Sequence, residues 1–210
     1  MCPLTRLISR TSAGLALVLA IVGHGPIAEA QTLDATTRVQ VDLTPTADAS
    51  IIDNFPFDGL PEAFEADLAG DVQLNSAFHD SRAVIEFDLN ALPAGARIRR
   101  AQLRAPVVGK AVGPDATSLP VEVRAFSSNG VLNLSDFHRG RFEGVFDALP
   151  IPANGTTAKV DVTPTVIAIN ENSSRRLVGF VLRTTAQGGI AVGTLETGKP
   201  AILRIVYAVP

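Results

Sequence analysis

From Arg82 to Leu89 the chain reads Arg-Ala-Val-Ile-Glu-Phe-Asp-Leu, with Ala83, Ile85, Phe87 and Leu89 on alternate positions. Successive side chains of an extended strand leave opposite faces, so these four share one face and predict a core-facing strand. Arg82, Glu86 and Asp88 take the other face together with Val84. The strand is expected to end at Leu92-Pro93-Ala94-Gly95, because proline cannot donate to a ladder and glycine favours the turn. The same two-residue period returns in Ala101-Gln102-Leu103-Arg104-Ala105 and in Leu203, Ile205 and Tyr207. Keeping both Ile98 and Ala101 inward requires a one-residue slip near Arg100, which a β-bulge supplies.

This period, punctuated by Gly, Pro, Asn and Asp, dominates the chain and excludes a protein built on long amphipathic helices. Ten strands are expected, at 38–43, 47–53, 72–78, 82–89, 97–108, 120–127, 158–162, 177–185, 190–195 and 201–209. Two short helices are expected beside them. Thr163-Pro164 reads as an N-cap followed by proline in the first turn, and Pro61 to Leu68 places Phe64 and Leu68 four apart before Gly70. The predicted fold class is therefore all-β: a two-sheet antiparallel β-sandwich of jelly-roll topology with one or two short helices.

The first thirty residues read differently. Arg6 and Arg10 precede an apolar run from Ala13 to Val22, and Ala28-Glu29-Ala30 suits signal peptidase, so residues 1–30 are expected to be a secretory signal and 31–210 one β-sandwich domain. The apolar run is short for a bilayer span, and no second span is expected in the mature chain, which would be secreted to periplasm or medium. The single cysteine, Cys2, lies inside the signal, so the mature part has neither disulfide, nor thiol chemistry, nor cysteine-ligated zinc. Its stability must come from packing.

Removing Arg6, Arg10 and Glu29 from 18 bases and 21 acids leaves 16 and 20, a net charge of −4 that gives no global preference for nucleic acid. The charge is uneven: Gln31 to Ser81 carries ten acids and only Arg38, whereas Arg82 onward carries fifteen bases and ten acids. An acidic loop facing a basic surface, a cation site and plain solvated charge are the readings open at this point.

Ala47-Asp48-Ala49, then Arg82 to Leu89 with Leu92-Pro93 and Gly95-Ala96, then Ile98 and Ala101-Gln102-Leu103-Arg104, form an ordered series. Val160-Asp161-Val162-Thr163, Gly179 to Thr184 and Pro200 to Tyr207 continue it. Over roughly Ala47 to Tyr207 this resembles the DNRLRE-type domain. The resemblance implies a jelly-roll sandwich of extracellular and cell-surface proteins, often found beside polysaccharide-active enzymes, some members of which bind acidic polysaccharides. The chain departs from the pattern in a longer, more acidic segment from Asn54 to Asn75 and in having no tryptophan and one tyrosine, Tyr207. Neutral sugars are commonly held by stacking on Trp or Tyr faces. That shortage turns the expectation toward acidic polymers.

For such a ligand arginine matters most, since a guanidinium pairs with a carboxylate through two parallel hydrogen bonds. Arg97, Arg99 and Arg104 are the expected ligand-binding residues, as a basic stripe on one strand's outer face; a charged strand that merely stays soluble is the competing reading. No cofactor is expected, with calcium the one metal considered, and Asp48, Asp53 and Asp58 are its oxygen donors although no compact calcium-loop spacing supports them. No catalytic residues are expected. His79 and His138 sit in polar turns without a nucleophile elbow or zinc helix around them, and Glu86 with Asp88 shares a face as a carboxylate pair might, beside Arg82 and Arg104 as charge partners. Asn133, Asn154 and Asn172 open sequons that mark surface loops. The expected function is a non-catalytic secreted module for a polysaccharide, acidic rather than neutral, with a structural or adhesive envelope protein as the alternative.

Overall fold

The computed structural model describes residues 37–54, 59–65, 70–75, 79–111, 119–146 and 155–209, and of 70–75, 79, 110 and 111 the backbone alone. The expected signal segment and Asp58 lie outside the described residues. The described residues form twelve strands: β1 (Arg38–Leu43), β2 (Ala47–Asn54), β3 (Ala63–Glu65), β4 (Gly70–Asn75), β5 (His79–Asp88), β6 (Arg97–Ala111), β7 (Val121–Ser127), β8 (Arg141–Val145), β9 (Thr157–Asp161), β10 (Leu177–Thr184), β11 (Gly188–Val192) and β12 (Ile202–Ala208). One α-helix, α1 (Thr163–Asn172), and two 3₁₀ turns at Leu89–Ala91 and Leu134–His138 complete the described elements.

The strands form a two-sheet antiparallel sandwich, as the alternation predicts. The first sheet runs β1-β12-β6-β9, and the second runs β3-β2-β5-β10-β7-β8. Strand β6 joins them, because its near half pairs β12 and β9 while its far half pairs β11, which passes through β4 back to β5. The inward residues of both layers make one core. Ala101, Leu103, Leu203 and Ile205 come from the first sheet, and Ala83, Ile85, Phe87, Phe180, Leu182 and Val123 from the second. Phe87 meets Phe180 edge-on with ring centres 5.9 Å apart. Packing of this kind is where a fold without disulfides finds its stability.

The slip expected near Arg100 is present: Val206 faces Arg100 and Tyr207 faces Ile98, so Arg99 is the extra residue of a bulge and both Ile98 and Ala101 stay inside. Helix α1 starts one residue before its expected first turn. Val162 occupies the cap, while the Thr163 hydroxyl accepts from Ala101 N at 2.8 Å and donates to Ala101 O at 3.2 Å, stitching the helix to β6 just past the bulge. The helix expected from Pro61 to Leu68 is not formed in its described part. Ala63–Glu65 is strand β3, because pairing Ser50, Ile51 and Ile52 of β2 satisfies backbone groups that an isolated two-turn helix would leave at its ends.

The outer face of the second sheet is covered too. Residues 128–140 fold back over it, with the turn at Leu134–His138 capped by Asn133 and Asp136 in a reciprocal box, and press Phe137 onto Val84. Ile51, Val84, Phe126, Phe137 and Val181 form this smaller core. Phe126 lies directly over Gly179 of β10, where a β-carbon would come within 2.3 Å of the ring. The outer face of the first sheet has no such cover among the described elements.

Candidate functional site

The uncovered face is built around β6. Inward burial of Ile98, Ala101 and Leu103 forces Arg97, Arg100, Gln102 and Arg104 outward, and the bulge exposes Arg99 beside them. Pairing then sets their neighbours. Arg104 stands between Ile202 of β12 and Lys159 of β9, Gln102 between Arg204 and Asp161, Arg100 beside Val206, and Arg97 beside Ala208, which itself faces Arg38 of β1. Seven bases therefore share one face, Arg38, Arg97, Arg99, Arg100, Arg104, Lys159 and Arg204, against the acids Asp42 and Asp161. Arg97, Arg99 and Arg100 are exposed, and Arg104 and Lys159 are half-buried.

Of these bases only Arg204 is in an ion pair among the described residues. It binds Asp42 through two hydrogen bonds of 2.7 Å, which raises the guanidinium pKa further. Asp161 is used locally, accepting from Thr163 N at 2.9 Å, and Arg104 has a long contact of 3.5 Å with Gln102 Oε1. The structure thus sets the three expected arginines on one face and adds Arg38, Arg100, Lys159 and Arg204. The outward direction of Arg204 was readable from Leu203 and Ile205 on either side. Its adjacency to β6, and that of Lys159, depends on which strands pair, and single-strand periodicity carries no such signal.

Among the described residues the face offers no aromatic platform. Tyr207 is on the inner side and 5% exposed. What the arrangement can do chemically is hold anionic groups by charge-assisted hydrogen bonds along one strand of about 20 Å, taking about 3.3 Å per residue less the bulge.

The other candidates come apart. Glu86 and Asp88 do share a face, but Glu86 is 3% exposed beneath the 128–140 segment and accepts from the hydroxyls of Ser128 and Thr46. Asp88 caps the 3₁₀ turn by accepting from Asn90 N at 2.7 Å. The charge partners expected for them are elsewhere. Arg82 binds Asp80 at 2.7 Å and Phe137 O at 2.7 Å with its guanidinium 3.7 Å above the Phe137 ring, and Arg104 belongs to the opposite sheet. His138 Nε2 is 2.7 Å from Gly59 O and its ring packs against Phe137, while the side chain of His79 lies outside the described atoms.

Asp48 and Asp53 point to opposite faces of β2, because five positions separate them, so they cannot close on one ion. Asp53 accepts from Gly59 N at 3.0 Å. Asp48 faces the inter-sheet side, where Oδ2 accepts from Leu195 N at 3.0 Å and the Glu196 carboxyl lies beside it. Burial, with the nearby Glu196 charge, pushes its pKa up to about 6 against the lowering effect of the Leu195 bond. Among the described residues no three His, Cys, Asp or Glu side chains gather at a metal-binding distance. No described helix is long and apolar enough to cross a membrane. No protein-family model matches the chain, and no curated protein matches it.

Proposed function

We propose that this protein is a non-catalytic, exported binding module that holds an acidic polysaccharide on the outer face of the β1-β12-β6-β9 sheet. The observation that carries the reading is Arg104 placed directly opposite Lys159, with Arg97, Arg99 and Arg100 further along the same strand and, among the described residues, no acid paired to any of them. Like charges directly opposite in a sheet are destabilising. Elsewhere opposite charges pair across strands, as Arg204 does with Asp42 on this sheet and Arg183 with Glu122 on the second, whereas the β6 row faces Lys159. A polyanion supplies the missing charge, and the shortage of exposed Trp and Tyr favours uronic acids over neutral sugars. The order of segments that resembles the DNRLRE-type series supports the same ligand class.

Retention on alginate, pectate and neutral glucans tests this reading. Retention on the acidic polymers at low salt, lost as salt screens the charges, is expected. Failure to bind any acidic polymer at low salt would overturn it. A structural or adhesive role is the second reading, favoured by Phe142 and Val145 on edge strand β8, 52% and 41% exposed. An apolar edge strand is a template for pairing with another chain. Concentration-dependent self-association without polymer binding would select that role instead.

A further inference from the structure

The β11–β12 loop, Gly193 to Ala201, is folded tightly against the N-terminal half of β2. Gly193 N donates to Pro106 O and its carbonyl accepts from Ala201 N, and a side chain at this position would run into Lys199 O, 2.0 Å from where a β-carbon would stand. Thr197 Oγ1 accepts from Thr194 N and donates to Thr194 O. This turn delivers Leu195 N to Asp48 Oδ2 and brings the Glu196 carboxyl next to the same aspartate.

Two buried oxygens, one on Asp48 and one on Thr194 two residues before Glu196, have no hydrogen-bond partner. Asp48 is 7% exposed and its Oδ1 is buried without a hydrogen-bond partner; Thr194 is 1% exposed and its Oγ1 is likewise buried and unpartnered. Buried polar atoms are almost always satisfied, and a carboxylate left short of donors is among the most costly exceptions. Here a second carboxyl, which can only accept when ionised, lies against the first. A shared proton, a bridging water or a cation can supply what the two lack, and of these a divalent cation also compensates both charges. Other charges at the junction are few: Lys199 belongs to the same loop, is exposed, and makes no ion pair among the described residues.

We propose that Asp48, Glu196 and the Thr194 hydroxyl form a divalent-cation site, suited to calcium, that clamps the β11–β12 loop onto β2. The donors are all hard oxygens, two carboxylates match a 2+ charge, and an irregular turn suits an ion of loose coordination geometry better than magnesium. The pair differs from the donor set expected from sequence, since it joins Asp48 to a residue 148 positions away rather than to Asp53 and Asp58.

The test is thermal unfolding of the full chain, stripped with chelator, against rising CaCl₂ or MgCl₂, with calorimetric titration for stoichiometry. One calcium per chain is expected, with Kd of about 10⁻⁴–10⁻³ M as in extracellular modules. The melting temperature should rise by about 3–6 °C at tenfold excess over Kd, and less with magnesium. Glu196→Gln, a change at an exposed loop residue, and Asp48→Asn should each abolish the calcium response. Glu196→Gln keeps the test decisive even where Asp48→Asn folds poorly. A melting temperature indifferent to 10 mM calcium, or a full response retained by Glu196→Gln, would overturn the site and leave the shared proton as the link between the two carboxyls.

Discussion

Gly179→Ala is the sharpest probe of the small outer core, because it adds one methyl group at a position where neutral expectation and structure disagree in sign. In an ordinary strand interior, alanine in place of glycine stabilises by about 0.5–1 kcal/mol through lost unfolded-state freedom. At 179 the new β-carbon would stand 2.3, 2.6 and 2.7 Å from Phe126 Cζ, Cε1 and Cε2. Carbon atoms rest at about 3.5–4.0 Å, so the ring must retreat by more than 1 Å. It has little room, since Phe126 packs with Ile51, Val84, Phe137 and Val181 and the Arg139 guanidinium sits 5.0 Å from the ring centre. Overpacking of this kind costs about 1–3 kcal/mol, leaving a net loss of about 1–2 kcal/mol after the backbone gain. For a domain of this length that is a fall of about 3–6 °C in melting temperature. In a Phe126→Ala background the obstacle is gone, and Gly179→Ala should become neutral or stabilising. Calorimetry of the four proteins of this cycle reads the coupling directly. A rise in melting temperature for Gly179→Ala alone, or the same change in both backgrounds, would refute the packing of Phe126 over β10.

Three further outcomes are expected. Arg104→Glu should place opposite charges on β6 and β9, raising stability by about 0.2–1 kcal/mol in urea unfolding while weakening retention on acidic polymer; a parallel fall in both would deny that the basic row is held at a structural cost. Arg82→Ala should cost about 3 kcal/mol, because it strands the half-buried Asp80 carboxylate and the Phe137 carbonyl, and a loss within 0.5 kcal/mol would contradict their dependence on the guanidinium. In chelator, Asp48 makes stability fall with rising pH: its folded pKa of about 6 lies above the ordinary 3.8, so its contribution is complete below 3.8 and lost as pH passes through about 6. The difference between wild type and Asp48→Asn, read by urea unfolding at pH 4 and pH 8, should shift by up to about 3 kcal/mol, and a constant difference would show an unperturbed carboxyl.

Much of the sandwich was legible because one face of most strands is buried, and burial writes itself as a two-residue period. Phe87, Leu103 and Tyr207 fell where that period put them, and even the bulge at Arg99 was forced by Ile98 and Ala101 both being apolar. The period fails where both faces are covered. Val84, Phe126 and Val181 are apolar on the outer face because the 128–140 segment closes over them, and no local pattern announces a loop that folds back. Strand β8 leaves no two-residue signal, since Phe142 and Val145 are exposed and its pattern reads as irregular chain. The β3 segment reads as helix in the sequence because Phe64 and Leu68 satisfy a four-residue spacing, whereas the deciding fact is an open edge of β2. The basic face was half visible: each arginine's direction follows from its own strand, and the row they form follows only from pairing. Asp48 stands out in the sequence as an oxygen donor, whereas the Glu196 that lies beside it is distant in sequence and reached only through the fold.

The most direct test of the proposed function is to follow backbone amide resonances of the isotope-labelled full chain while adding a defined uronic-acid oligomer at low salt. The changes should gather on β6, β9 and β12, around Arg97, Arg100, Arg104, Lys159 and Arg204, and should vanish when Arg97, Arg100 and Arg104 are replaced together by serine. Changes confined to β8 and the turn at Leu134–His138, or changes that survive the triple replacement, would place the ligand elsewhere and contradict the assignment of the first sheet's outer face.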